Sequence, residues 1–528
     1  MTSIAPGALP RVTYSNTGED FSGVHAHLDA VIPHVRSRFL GLDRPNRIGG
    51  SDSRDGDAFD APCPIDRRVS LGRFVAASPA AVDAAVSAAR RAADDWRRLG
   101  WERRVALARK VADAMEAVKF EMAAACLLEV GKSRMEALGE VEEAIDLVRF
   151  YAGEMEANGG YEKPLLRANP KEETRDVLRP FGVFAVIAPF NFPVALSIGM
   201  SISALIAGNA VVFKPSPMAG LTGRMLMDCV MAAGLPDGVF NLVCGGAETG
   251  AALVGHSGVD GIAFTGSHAV GMAIMRGFGV GGRHAKPVLA EMGGKNPTYV
   301  TASADLAAAA AGMARSAFGL QGQKCSAGSV VFVHDAVRDE FLERLAATAT
   351  SFRIGDPAGR DVFMGPVINR AARDRFEAAV ATASAAGSSI IGGRVLSGGL
   401  CDHGDYVEPT IVTGLPDDHA LHRDELFLPF LTVRTFSALD DAIRRGNAVP
   451  YGLTAGIYAQ DEVELDLFLD TAEAGVLYAN RASGATTGAW PGIQTFCGWK
   501  GSGTGSKGGL GTWYLPQFMR EQSRTIMR

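Results

Sequence analysis

Cys325 stands at the centre of residues 321–329, QGQKCSAGS, between a polar approach (Gly322, Gln323, Lys324) and the strand-like run SVVFV. That order presents a thiol on a turn at a strand edge, where a nucleophile can meet a substrate. Taken alone, a cysteine is more often a small buried apolar residue, so the rest of the chain must decide. Two further side chains are out of keeping with their neighbours. Glu291 lies in LAEMGGKN, an acid between apolar residues and a glycine pair, with no charge pattern around it to mark a solvated face. Asn191 interrupts the apolar stretch APFNFPVA, where an amide must find a partner or remain costly. Together they supply what covalent attack on a carbonyl requires: a nucleophile, a base and a donor to the developing oxyanion.

The elements that must position these residues alternate between strand and helix. Residues 81–99 carry Val82, Ala85, Val86, Ala89, Ala93 and Trp96 at helical spacing, and helices are also expected over 103–118 and 141–155. From 182 to 290 the order is VFAVIA, a helix over 197–207, AVVFK, a helix over 219–233, FNLVC and GIAFTG, which predicts βαβ units and a parallel sheet. A second α/β set follows from Pro297: helices over 306–318 and 335–350, the strand after Cys325, and strands over 430–436 and 453–458. Between the halves lies the polar, extended segment 167–180; residues 1–60 show one helix near 27–39 and little else.

Composition narrows the classes. Of 528 residues, 47% are apolar and 21% charged, as in globular chains long enough for two or three cored domains. A net charge of −6 with interspersed signs, and a pI near 6.0, offer no footprint for nucleic acid, and no such partner is expected. Seven cysteines without a CxxC pair fit a reducing compartment, and the N-terminus lacks an apolar core after a basic start, so a cytoplasmic address is expected. The long apolar run 183–213 is broken by Pro189, Asn191, Pro193 and Asn209, which reads as strand, loop, buried helix and strand; no membrane partner is expected. Ten scattered histidines and no HExxH predict no metal.

The spaced series APFNFP, FKPS (213–216), FTGS (264–267), EMGGKN (291–296), GQKCSA (322–327), DELFLP (424–429) and CGWKGSG (497–503) resembles the aldehyde dehydrogenase superfamily from about residue 65 to the end. The resemblance implies an α/β fold with a Rossmann-type dinucleotide-binding domain (61–162 and 182–290), an α/β catalytic domain (291–487), and a β oligomerisation arm with a C-terminal tail (163–181 and 488–528), after an N-terminal extension (1–60). It implies a homodimer or dimer-based homo-oligomer, for which an ordinary surface hairpin is the alternative.

On the cofactor side, Gly266, Ser267 and Gly271 follow a strand and open a helix, so backbone N–H groups there can face a pyrophosphate although the run is not GxGxxG. By resemblance Lys214 in FKPS holds the adenosine ribose, Ser216 in the same run also binds the cofactor, and Glu425 and Phe427 in DELF hold the nicotinamide ribose and pack near the ring. NAD is the expected cofactor; Pro217 puts no carboxylate near a 2′-phosphate, so NADP stays open.

The resemblance implies attack by Cys325 on an aldehyde, an oxyanion held by the Asn191 amide and the Cys325 N–H, loss of hydride to give a thioester, and hydrolysis with Glu291 as base. One such donor is worth about 2.7–4 kcal/mol in the barrier. Lys324 adds positive potential or is simply solvated. EEAIDLVRFYA (142–152), Ser326 and the tail 502–518 are similar to 1-pyrroline-5-carboxylate (L-glutamate γ-semialdehyde) dehydrogenases. In that pattern Ser326 and the N–H groups of Gly509 and Leu510 take the α-carboxylate, Glu143 faces the ammonium, and Phe192 with Phe518 sandwiches the aliphatic chain. The alternatives are a helix-surface charge for Glu143 and core packing for the two rings. Leu428 and Cys497 replace glycines usual in the family, adding bulk near the cofactor and the entrance, and the loop 502–515 is one residue longer. Competing functions are a dehydrogenase for another small aldehyde, a cofactor-free cysteine esterase, which would make FTGS and DELF unnecessary, and a non-catalytic protein of this fold, which would not need both Cys325 and Glu291.

Overall fold

The computed structural model describes residues 9–16, 19–279, 285–482, 488–505 and 507–528. Its first seven-stranded sheet runs Val288–Glu291, Gly261–Thr265, Val183–Ile187, Ala210–Lys214, Phe240–Leu242, Asn46–Ile48, Ser51–Ser53. The first five strands are parallel, and the last two are joined on by antiparallel pairings. VFAVI and AVVFK are buried at every position, as strands covered on both faces must be. Alternate residues feed two cores: Phe184, Val186, Val211 and Phe213 face the helices Trp101–Ala117, Lys119–Val130, Arg134–Ala157 and Ala195–Ala207, while Val183, Ala185 and Val212 face Pro79–Arg98. Ser78 caps that last helix through Ala81 N–H at 3.1 Å, with Pro79 at its first turn.

The second sheet runs Ser389–Ile391, Thr410–Thr413, Phe430–Phe436, Gly328–His334, Asn296–Val300, Thr454–Tyr458, Val476–Ala479, parallel except for the first strand. Glu291 therefore ends the last strand of one sheet and Asn296 begins a strand of the other. The few residues between them form the seam on which the site is built. A third, antiparallel sheet joins Glu162–Pro164, Glu172–Pro180 and Met519–Met527.

Several expected boundaries move. Within the stretch expected as an N-terminal extension, the described residues join the main fold: Asn46–Ile48 and Ser51–Ser53 pair onto the edge of the first sheet, Asp43–Arg44 and Gly56–Pro62 flank Ser70–Ala77, and helix Ser22–Arg38 packs on Lys119–Val130. Their Ser, Asp and Gly content hides the strands because edge strands expose most side chains. Residues 499–504 of the expected tail pair instead with 451–452 and with strand Val288–Glu291. The expected domain limit at 487 lies outside the described residues.

Candidate active site

The turn that delivers Cys325 has an unusual backbone. Leu320, Gln321 and Gly322 all have positive φ, at +48°, +56° and +65°, and a Cβ on Gly322 would lie 2.1 Å from the Leu428 carbonyl oxygen. Asn296 locks the far side of the turn: its Nδ2 donates to the carbonyls of Cys325 (2.7 Å) and Ala327 (2.8 Å) while its Oδ1 accepts from Thr454 N–H (3.1 Å). The half-buried thiol opens on a cavity that Glu291 also lines. Burial pushes Glu291 up to about 7, with a hydrogen bond from Gly509 N–H (3.0 Å) working the other way. Burial pushes the Cys325 thiol up to about 12, and the negative charges of Glu291 and Glu425 add to this. Transfer of the thiol proton to Glu291 would thus remove part of the repulsion opposing the thiolate.

Asn191 is 4% exposed and its side-chain amide has no partner among the described residues, but it is not among the residues that line the cavity, although its neighbour Phe192 is. The loop carrying it is fixed from below: Glu140 accepts from Val194 N–H (2.7 Å) and Ala195 N–H (3.2 Å) and pairs with Lys132, whose ammonium lies 3.6 Å from the Phe192 ring centroid. Glu136, Glu140, Glu143, Leu147 and Tyr151 share one face of helix Arg134–Ala157, and all but Glu140 line the cavity.

The substrate-side expectations fare unevenly. Glu143, Phe192, Ser326, Gly509 and Leu510 line the cavity. Phe518 does not: it is 0% exposed, packed against Phe184 and Tyr514 (5.1 and 5.3 Å between centroids), because the chain turns into its last strand there. The second phenylalanine on the cavity is Phe496, beside Tyr14, Tyr151 and Tyr514. The N–H groups of Gly509 and Leu510 are engaged, by Glu291 and by the Tyr151 hydroxyl (3.0 Å each), so carboxylate capture there requires both acceptors to give way. Lys324 is not solvated; its ammonium, 2.8 Å from Glu136, is neutralised by that pair. Leu428 is buried in a core cluster against which Phe190 packs, and neither Leu428 nor the part-buried Cys497 lines the cavity. Within the longer loop 502–515, Ser506 lies outside the described residues.

Sequence reasoning missed Tyr14, Lys132, Glu136, Tyr151 and Tyr514. The signal for Glu136 and Tyr151 was present, in their helical spacing from Glu143; Tyr14 sits in a segment whose composition gives none.

The residues expected to hold a dinucleotide are placed separately: Lys214 ends strand Ala210–Lys214, Ser267 follows strand Gly261–Thr265, and Glu425 reaches Gly294 at the seam. The Lys214 ammonium, 5% exposed and pushed down to about 8 by burial, donates to the carbonyls of Pro215 (3.0 Å) and Gly245 (2.8 Å), which leaves one of its three donors for a sugar hydroxyl. Ser216 Oγ accepts from Met218 N–H at 3.3 Å. Ser267 caps helix His268–Gly277 through Val270 N–H (3.4 Å) and is exposed, so the first turn can receive an anion. Glycine is needed at 271 because a Cβ would lie 2.4 Å from Met292 Sδ, and at 266 because one would meet the Phe264 ring at 2.5 Å. Glu425, pushed up to about 7 by burial, accepts from Gly294 N–H (3.1 Å). Phe427, at φ +59°, packs edge-on to Phe190 at 5.9 Å. The donors and the acid fit a dinucleotide with two ribose rings.

A thiol and a carboxylate thus line one cavity at the seam of two largely parallel α/β sheets, the residue types that nucleophilic attack and general-base chemistry use. Residues 51–523 match the aldehyde dehydrogenase family, and the chain belongs to that family. It is 34% identical over 492 residues to 1-pyrroline-5-carboxylate dehydrogenase 1 of Halalkalibacterium halodurans, covering 92% of this chain and 93% of the relative. It is 36% identical over 434 residues to an alpha-ketoglutaric semialdehyde dehydrogenase of Bacillus subtilis, covering 82% of this chain and 88% of the relative. The structure of a 1-pyrroline-5-carboxylate dehydrogenase from Thermus with bound NAD matches with a TM-score of 0.92 at 30% identity over 100% of both chains.

Proposed function

We propose that the protein oxidises L-glutamate γ-semialdehyde to glutamate with NAD. The observation that carries this reading is the cavity itself: Cys325 and Glu291 at one part of it, and Glu143, Phe192 and Phe496 along the rest. The name of the Halalkalibacterium halodurans relative and the NAD bound to the Thermus protein support the substrate and the co-substrate.

In this mechanism Cys325 adds to the aldehyde carbon and the Asn191 amide, with the Cys325 N–H, holds the resulting oxyanion. Bound NAD supplies the acceptor for the hydride that leaves that carbon. Cys325 then carries the acyl group as a thioester, and Glu291 takes a proton from water as it attacks, a general-base contribution of about 10²–10⁴-fold. Lys214, Ser216, Gly266, Ser267, Gly271, Glu425 and Phe427 hold the dinucleotide, and Ser326 receives the substrate carboxylate. Lys324 acts through Glu136 rather than as a free charge.

No helix among the described residues is long and apolar enough to cross a membrane. A cytoplasmic enzyme is the reading supported by seven cysteines without a pairing pattern. A homodimer or dimer-based homo-oligomer is supported by the nine-residue edge strand Met519–Met527, mostly exposed and able to pair with a second copy.

The test is a panel of L-glutamate γ-semialdehyde, 2,5-dioxopentanoate, succinic semialdehyde and simple aliphatic aldehydes with NAD and NADP, followed at the nicotinamide absorbance. Glutamate semialdehyde with NAD should give the highest kcat/KM, and Cys325→Ala should abolish turnover while retaining NAD binding. A simple aldehyde or the 2-oxo acid winning by about tenfold would overturn the substrate assignment.

A further inference from the structure

We propose that residues 9–16 form the outer wall of the substrate cavity and that Tyr14 is a specificity-determining positioning residue, its hydroxyl aiming the Glu143 carboxylate at the substrate's ammonium group. The inference rests on the amino-aldehyde reading above. It concerns a segment that precedes the family match, which begins at residue 51.

The segment is built into the site rather than laid over it. The Arg11 guanidinium bridges Glu142 and Asp146 at 3.0 Å each, Val12 is fully buried, and Thr13 N–H donates to Asn16 Oδ1 at 2.7 Å, closing the turn that carries Tyr14. The Tyr14 ring meets Trp490 edge-on at 5.5 Å and Phe192 at 6.5 Å, and Trp490 in turn donates to the same Asp146 at 2.9 Å. Beneath the ring is Gly139, where a Cβ would approach it to 3.2 Å, so the helix surface is cut away to receive the aromatic. The hydroxyl donates to Glu143 Oε2 at 2.7 Å, and both residues line the cavity. Tyr14 therefore fixes one carboxylate oxygen; Oε1 has no partner among the described residues and is left for the ligand.

The same bond governs the charge state that an ammonium needs. Burial pushes Glu143 up to about 8, and Glu140 and Asp146 push the same way, while the Tyr14 hydrogen bond and the Lys132 ammonium oppose them. Tyr151 also faces Glu143, and Arg11 is engaged by Glu142 and Asp146. Without the Tyr14 hydroxyl, Glu143 stays protonated to higher pH, and a neutral acid attracts an ammonium weakly. An aldehyde without an amino group has no use for the arrangement.

The experiment compares full-length parent and Tyr14→Phe, which keeps the ring and the wall, on L-glutamate γ-semialdehyde and on 5-oxopentanoate, the same chain without the amino group, between pH 6 and 9.5. The ratio of kcat/KM for the two substrates should fall about tenfold at pH 7, the worth of one hydrogen bond to a charged group. The fall should appear in KM for the amino aldehyde, with the pH at which that KM improves displaced upward. In a Glu143→Gln background the same change should alter the ratio by less than about twofold, which separates action through Glu143 from a general loosening. A parent that prefers the amino aldehyde, with a Tyr14→Phe variant that keeps both the ratio and the pH dependence, overturns this inference and leaves the substrate reading standing. A parent indifferent to the amino group overturns both.

Discussion

Replacing Glu140 by glutamine should weaken both the fold and the chemical step. Glu140 and Lys132 are each 0% exposed, and the carboxylate also holds Val194 N–H at 2.7 Å and Ala195 N–H at 3.2 Å. Glutamine can still accept one of these bonds but takes away the carboxylate in direct contact with the buried Lys132 ammonium, leaving Glu136 and Glu143 as the acids that still act on it. Breaking a buried pair in this way costs about 3–5 kcal/mol. The loop so loosened is the one that carries Asn191, three residues before Val194. If the Asn191 donor is displaced entirely, the barrier rises by about 2.7–4 kcal/mol, a loss of ~10²–10³ in rate. Partial displacement should cost about ten- to a hundredfold. Urea-unfolding midpoints and the single-turnover rate of NADH appearance read the two effects separately. A Lys132→Met/Glu140→Gln double variant removes the ammonium as well and should recover most of the stability but not the rate. A Glu140→Gln variant with the parent's midpoint and a rate within about twofold of it would refute the reasoning.

Two further outcomes follow from the geometry. A Cβ at Gly293 would sit 2.0 Å from Glu425 Oε2, so Gly293→Ala must displace the acid assigned to the nicotinamide ribose; the Kd for NAD, measured by fluorescence titration, should rise about 10–100-fold. Glu143, raised from 4.5 to about 8 on folding, contributes stability that is fully present below pH 4.5 and lost as pH rises through 8. Glu143→Gln should therefore gain on the parent by about 1.4 kcal/mol per pH unit between those limits and hold a constant lead above pH 8, read from urea midpoints at a series of pH values.

Much of the site was legible in the sequence because its chemistry contradicts its local surroundings. A carboxylate before a glycine pair, an amide inside an apolar run and a thiol after a polar turn are each costly unless used, and Glu291 and Cys325 do line one cavity. Helix Leu306–Phe318 and strand Phe430–Phe436 were readable to the residue because their apolar periods are unbroken. What sequence could not reveal is which of two similar residues the fold turns inward. Phe518 and Phe496 are both aromatic residues in a glycine-rich tail, and only the direction of the chain as it enters Met519–Met527 places one in the core and the other on the cavity. For Lys324 the sequence left a catalytic charge and a solvated one open, because its partner, Glu136, is distant in sequence and lies on another element. Residues 43–62 read as irregular because edge strands with exposed polar side chains lack alternation.

The central claim, that Cys325 carries the acyl group and Glu291 releases it, is tested most directly by mixing Glu291→Gln with NAD and saturating aldehyde and following a single turnover. The account predicts a burst of about one NADH per active site, a steady state slower than the parent's by about 10²–10⁴-fold, and an intact-protein mass increase of one acyl group that maps to Cys325. A variant that turns over at the parent's rate, or an acyl group found on any residue other than Cys325, would contradict it.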